Sequence, residues 1–308
     1  MAPMTARRAS PALFLLAVGA LLGVGFPLAR LARAAAVSPL LWALLISASV
    51  SVLLGAGLWL RRRRVVLDAQ HLRYFVVTAL LSYAVPNLLV FAVIPHLGSG
   101  LTAMLFTLSP PFTALLSRLA RLRAPSRMEY AGIAIGFAGA ALVAAARGEA
   151  GRPADWLWVG LGLLVPLLLA IGNVYRSLDW PPHADVTWLA VGSHGVAAIG
   201  LLAACAATGV LSTLPTLVQV PWVSAAQVLS SALMFPLFFR LQQVGGPVLL
   251  SQIGTVGAGI GVLLGAGALG ERYPAQVWWG TWLIGLGIGL TLRARRARAG
   301  RPSLTAPP

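Results

Sequence analysis

The chain has 308 residues, of which 58% are hydrophobic and only 10% charged, with a mean hydropathy of +0.85. Soluble domains carry about 25% charged residues and disordered chains need low hydrophobicity with abundant charge, so both classes are excluded. All 23 basic residues are arginine, against 7 acidic ones, giving a net charge of +16, but they sit in short runs between apolar stretches and form no basic, aromatic-interleaved face of the kind nucleic acid requires.

About 20 apolar residues cross the roughly 30 Å of a bilayer core, and ten stretches meet that length. The first, 11–30, follows Arg7 and Arg8. Ala34-Ala35-Ala36 offers a signal-peptidase site as an alternative, but the run is long for a signal segment and is read as a retained helix. The second, 38–60, ends on the orienting run Arg61–Arg64. The third, 73–95, carries Tyr83 and Asn87; the fourth, 98–118, carries Thr102, Thr107, Ser109 and the pair Pro110-Pro111. The fifth is 128–146, and the sixth, 156–175, carries Asn173 and Tyr175. The seventh, 187–208, holds His194 and the lone Cys205, which is read as a buried, inert thiol. The eighth, 222–239, carries Ser230 and Ser231; the ninth, 247–269, carries Gln252, Thr255 and a glycine-rich stretch around Gly257; the tenth is 275–292. Unpaired backbone groups are too costly in lipid for anything but helix in such runs, and their continuous rather than alternating apolarity excludes a β-barrel. The expected fold is all-α, a polytopic membrane protein of ten transmembrane helices.

With the N-terminus in the cytoplasm, 18 of the 23 arginines fall on the inner side, Arg73, Arg176, Arg240 and the cluster Arg293–Arg301 among them. The positive-inside rule then puts both termini in the cytoplasm. The polar segment 147–155 divides five spans from five. A shift of 148 residues places Gly132 on Gly280, Gly139 on Gly287, Thr107 on Thr255, Gly98 on Gly246 and Arg123 on Glu271. Two equivalent units of five spans enter the membrane in opposite senses, the inverted repeat common in secondary transporters. The expected division is residues 1–146, a connecting loop 147–155, residues 156–292, and a basic tail 293–308.

The segments 87–119 and 130–143, with 267–287 in the second half, carry a family pattern: a span with polar and aromatic residues, a helix with mid-span Pro110, and a Gly-x6-Gly helix, here Gly132…Gly139 and Gly280…Gly287. In this the chain resembles the drug/metabolite transporter superfamily in its ten-helix form with two EamA-type repeats. AIGNVYR, 170–176, is similar to the family's sixth helix, and GVGFPLAR, 23–30, more weakly to its first. The chain departs from the pattern at Arg123, where a Glu is expected, at Ala258, where a Pro is expected, and at Gly25, where the first helix usually has a polar residue. The resemblance implies a central cavity enclosed by spans one, three, four, six, eight and nine, with span seven away from it, and transport of a small organic metabolite, with efflux of amino acids or related compounds as the expectation.

Polar side chains are costly against lipid, so those within spans are the candidate substrate contacts: Tyr83, Asn87, Thr102, Ser109, Asn173, Gln252 and Thr255. For each the alternative is glue between helices, and Asn173 lies close to the cytoplasmic end. Pro110, Pro111 and Gly257 are the candidates for kinking and gating, since proline removes a helical hydrogen bond and glycine loosens a helix. A static kink or close packing is the alternative. The small faces Gly19-x3-Gly23 and Gly132-x3-Gly136 read as helix contacts. His194 is the candidate for proton linkage, with a neutral hydrogen-bonded ring as the alternative. The seven carboxylates lie at span ends or in loops and provide no buried relay. Tryptophans such as Trp42, Trp156, Trp222, Trp278 and Trp279 are expected in the interfacial belt. The four histidines are scattered, and HExxH, CxxC, GxSxG and P-loop spacings are absent. No enzyme, metal or cofactor is therefore expected; the alternative to a transporter is an accessory or structural membrane protein, or a membrane-embedded enzyme without transport activity. The expected partners are a small-molecule substrate and membrane lipid, the assembly a monomer or weak homodimer, and the location the cytoplasmic membrane.

Overall fold

The computed structural model describes residues 10–63, 65–122, 124–147, 156–268, 270 and 272–299, and among them every regular element is a helix. Helix starts follow local chemistry. α1 (Pro11–Ala34) begins behind Ser10, whose Oγ accepts from the Leu13 amide at 3.3 Å, with proline in the first position where its missing N–H is harmless. α2 (Pro39–Leu60) repeats the Ser-Pro start. Asp68 caps α3 (Ala69–Ala79), accepting from the His71 amide at 2.9 Å. The remaining long helices of the first half are α4 (Val85–Phe106), α5 (Ser109–Leu119) and α6 (Arg127–Arg147). Ser126 and Glu129 cap α6 reciprocally, at 2.7 and 3.2 Å. The second half contains α7 (Trp156–Leu178), α8 (Val186–Ala207) capped by Asp185, the short α9 (Thr216–Gln219), α10 (Pro221–Leu250), α11 (Ile253–Ala268) and α12 (Ala275–Ala299).

Six helical segments among the described residues are long and apolar enough to cross a membrane: α1, α2, Ala69–Val90, α7, α8 and α10. Large apolar residues stand on the outer surface, Trp156 at 85% exposure and Leu60 at 72%, an arrangement suited to a lipid solvent. The chain is a multi-pass membrane protein.

Five expectations need correction. No break separates the third and fourth spans at 95–98: α4 runs through Pro95 and Gly98, and the chain turns only at Thr107–Leu108. The segment is too apolar to leave the bundle, and one proline costs a hydrogen bond rather than the helix. Pro110 and Pro111 consequently lie in the first turn of α5, where the missing N–H groups had no helical partner to lose, and not in the middle of a helix. In the second half, Arg240-Leu241-Gln242-Gln243 are good helix formers, so α10 continues past 239 and kinks at Gly246, which has φ 72° and ψ 177°. Likewise α12 extends to Ala299, so the first residues of the expected tail are helical. Trp42 is 8% exposed and packs with Ala32, Val37 and Leu41 instead of standing in an interfacial belt. Arg123, Glu271, residues 148–155 and the end of the tail lie outside the described residues.

Between α3 and α4 lies a π-turn, Leu80–Ala84, in which the Val85 amide donates to the Leu80 carbonyl five residues back. Pro86 explains it: its ring would collide with the carbonyl four residues earlier, and an extra residue in the turn makes room. The Asn87 amide then donates to the Tyr83 carbonyl at 2.5 Å.

α1 packs on α11 and α10, α7 on α4 and α5, α2 on α8, and α6 on α12. The α1–α11 contact uses Gly19 and Gly23 against Val256, Gly257 and Ile260. The α6–α12 contact is closer still: a methyl group on Gly132 would lie 2.6 Å from the Gly287 carbonyl oxygen, and one on Gly139 would lie 2.6 Å from that of Gly280. The pairing 132 with 287 and 139 with 280 runs the two helices antiparallel.

Candidate functional site

The polar side chains of the interior gather where the π-turn, α7, α8 and α10 meet. Arg176, in the last turn of α7, is 1% exposed. Helical side chains lean toward the N-terminus, so its guanidinium reaches back from the helix end toward the middle of the span. There Nη1 donates to Ser82 Oγ of the π-turn and Nη2 to Asn173 Oδ1 at 2.5 Å. The guanidinium carbon stands 5.1 Å from the centre of the Phe238 ring, a cation–π contact. Arg176 was counted in the sequence as a loop charge that orients the membrane; it is an interior residue of the bundle.

Around it lie the other groups of the cluster. The Asn173 amide donates to Thr113 Oγ1 of α5 at 3.3 Å, and the Asn173 carbonyl accepts from Gln242 Nε2 of α10 at 3.0 Å. Gln242 also donates to Ser177 Oγ at 2.5 Å. The Tyr83 ring stacks on His194 at 4.2 Å, and His194 meets Phe235 at 3.8 Å. His194 Nδ1 lies 3.4 Å from Ser47 Oγ of α2. Phe235 in turn touches Phe238 at 5.8 Å, which closes the path from His194 to Arg176. Several buried polar atoms here have no hydrogen-bond partner: Arg176 Nε, Tyr74 Oη, Tyr83 Oη, His194 Nε2 and Gln242 Oε1. Buried polar groups are nearly always satisfied, and half of the unpartnered buried atoms among the described residues fall in this cluster.

Below the cluster, at the end of α7, Asp179 accepts two hydrogen bonds from Arg73, one from Nε at 3.0 Å, and a third from Tyr175 Oη at 2.5 Å. The Arg73 hydrogen bonds hold its carboxyl below the usual carboxylate range. Asp179 is thus committed to Arg73 and Tyr175.

Of the sequence candidates, Tyr83 and Asn173 stand in this cluster, and Asn87 stands one turn away with its amide on the π-turn backbone. His194 faces the cluster, although span seven was expected to lie apart from it. Ser109 is buried in the first turn of α5. Thr102 lies in α4, outside the residues whose side chains are described. Gln252 is buried at the α10–α11 turn with Nε2 unpartnered. Thr255 faces Gly136 of α6. Gly257 packs against Leu22 and the Gly19 carbonyl of α1. Pro111 lines a separate surface cleft of about 450 Å³ between α5 and α6, with Leu108, Leu115, Tyr130 and Phe137; it shares no residue with the polar cluster. Sequence reasoning missed Arg176, Ser82, Thr113 and Gln242. The signal for Arg176 was present: an arginine three residues inside a helix end, with an amide three residues before it on the same face.

Residues 9–145 match the model of the EamA-like transporter family. None of the curated proteins matches the chain in sequence. A solved structure described only as "Crystal structure of protein" shares 16% identity, covers 94% of this chain and 99% of its own, and superimposes with a TM-score of 0.69, a likeness of fold alone. Over residues 9–145, a little under half of its length, the chain is similar to the EamA-like transporter family.

Proposed function

We propose that the chain is a secondary transporter of ten membrane-crossing helices, built as two inverted five-helix halves, residues 1–146 and 156–292, that move a small organic metabolite by alternating access. The observation that carries this is the reciprocal glycine contact. The sequence shift of 148 pairs Gly132 with Gly280 and Gly139 with Gly287, and the helices touch as 132 on 287 and 139 on 280. That is the exchange a two-fold axis between equivalent helices requires, and the antiparallel run of α6 and α12 fits halves of opposite sense. The packing of α1 on α10 and α11 is answered by that of α7 on α4 and α5, which is the same exchange. Two similar packings that interconvert around one interior site are the mechanical basis of carriers of this plan.

The substrate site in this reading is the polar cluster on Arg176, Asn173, Ser82, Tyr83 and Gln242. The arginine distribution supports termini in the cytoplasm and a cytoplasmic membrane. Efflux is the direction, a monomer or weak homodimer the assembly, and small-molecule substrate and lipid the partners, with no nucleic acid and no enzymatic activity. The test is counterflow in sealed proteoliposomes: preloaded unlabelled metabolite must drive transient, saturable accumulation of the labelled compound. Unsaturable flux points to a channel, and turnover in detergent points to an enzyme; either outcome refutes the carrier.

A further inference from the structure

A guanidinium stays charged when buried, and burying a charge without an opposite one costs several kcal/mol. Arg176 is in that position. It is 1% exposed and makes no ion pair with any described residue; its two neutral partners, Ser82 and Asn173, leave Nε unused. The carboxylate closest in sequence, Asp179, is held by Arg73 and Tyr175. The walls are Phe238, Phe235 and Tyr83, aromatic faces beside one positive group.

We infer that Arg176 is the anion-binding residue of this site and that the compound it takes is a small monocarboxylate with an apolar or aromatic body. The guanidinium fork matches a planar carboxylate. One buried positive charge is neutralised by one negative charge, whereas a phosphate dianion would leave a surplus. The orphan hydroxyl of Tyr83 and the orphan carbonyl of Gln242 supply a donor and an acceptor for a second polar group on the guest. The inference rests on the transporter reading for its purpose but not for its chemistry.

The experiment is binding to the purified full chain in neutral detergent, followed by thermal stabilisation, since a ligand of the folded state raises apparent stability by mass action. The probes share one body and differ in charge: 3-phenylpropionate, its amide 3-phenylpropanamide, phenethylamine and phenyl phosphate. The carboxylate is expected to bind the wild-type protein about tenfold or more tighter than the amide, the margin of a charge-assisted hydrogen bond. In Arg176→Gln the two are expected to agree within about twofold, because the charge term is gone while the amide still fits. The wild-type comparison decides the matter even if the variant fails to fold. Equal binding of acid and amide, preference for the amine, tighter binding of the phosphate, or stabilisation by none of the probes overturns the inference. So does stabilisation by added phosphatidylglycerol alone, which would make the site a lipid headgroup site. A carboxylate that binds through Arg176 but shows no counterflow refutes the carrier and leaves this inference standing. Counterflow of a neutral solute that Arg176→Gln leaves unchanged does the reverse.

Discussion

Gly287→Ala is the substitution whose cost follows most directly from the helix spacing. The added methyl would lie 2.5 Å from the Gly132 carbonyl oxygen and 2.5 Å from the Gly136 amide nitrogen, where ordinary contact begins at 3.4 Å. Both obstacles are backbone, so no side-chain tip can swing aside, and α6 and α12 must separate by about 0.9 Å. A gap of 0.5–1 Å forfeits about a quarter to a half of each dispersion contact, and overpacking of this kind costs about 1–3 kcal/mol. The matched control is Gly285→Ala on the same helix, where nothing lies within 4 Å and alanine is the better helix former by about 1 kcal/mol. Thermal unfolding of both variants in one detergent should place Gly287→Ala about 3–10 °C below wild type and Gly285→Ala at or above it. Gly139→Ala, which would meet the Gly280 carbonyl oxygen at 2.6 Å, should behave like Gly287→Ala, and the double variant should lose less than the sum because both open one interface. Equal stability of the 287 and 285 variants would refute the close glycine contact and, with it, the main support for paired halves.

Three further outcomes follow from the ion pairs and the π-turn. The Asp179 carboxyl is held below its ordinary value chiefly by the Arg73 hydrogen bonds; a depressed carboxylate contributes stability that is present above its unfolded value of about 3.9 and is lost as pH falls through the lowered one. Asp179→Asn should therefore flatten the acid limb of a stability–pH titration below about pH 4 and leave the neutral region with only a small loss. Glu129 is 3% exposed and its carboxylate lies 3.2 Å from Arg295 and 3.7 Å from Arg298; Glu129→Ala removes one side of a buried pair and a helix cap, and should cost about 3–5 kcal/mol in the same unfolding assay, clearly more than Asp68→Ala, which removes an exposed cap. Asn87→Ala frees the Tyr83 carbonyl and loosens the π-turn beside the cluster; counterflow should slow while membrane insertion is unchanged, and unaltered kinetics would remove Asn87 from the working part of the molecule.

The helical character of the chain was legible because lipid leaves an apolar run little other choice. The turns were less so. At Pro95–Gly98 a proline and a glycine imitate a loop, but the backbone gains nothing by leaving the helix; at Gly246 the break falls after the polar residues that read as a loop. The reciprocal glycines could be aligned in the sequence, but only packing shows that 132 meets 287 and not 280. The site was half readable. Tyr83 and Asn173 could be found as polar residues in apolar spans. Arg176 could not, because an arginine near a span end looks like an interfacial charge until its side chain is seen to fold back along its own helix.

The ion pairs of Arg73 with Asp179 and of Glu129 with Arg295 and Arg298, together with the Arg295 bond to the Gly245 carbonyl at 2.7 Å, all lie at one end of the bundle. Elsewhere, Ala32, Val37, Leu41 and Trp42 pack into an apolar cluster. The two regions are thus held together by different forces. Salt at 0.1 M screens charges more than about 10 Å apart and affects close, partly buried pairs much less, so the charged end is expected to keep its fastenings through ordinary changes of ionic strength and to loosen only when one partner of a pair is removed.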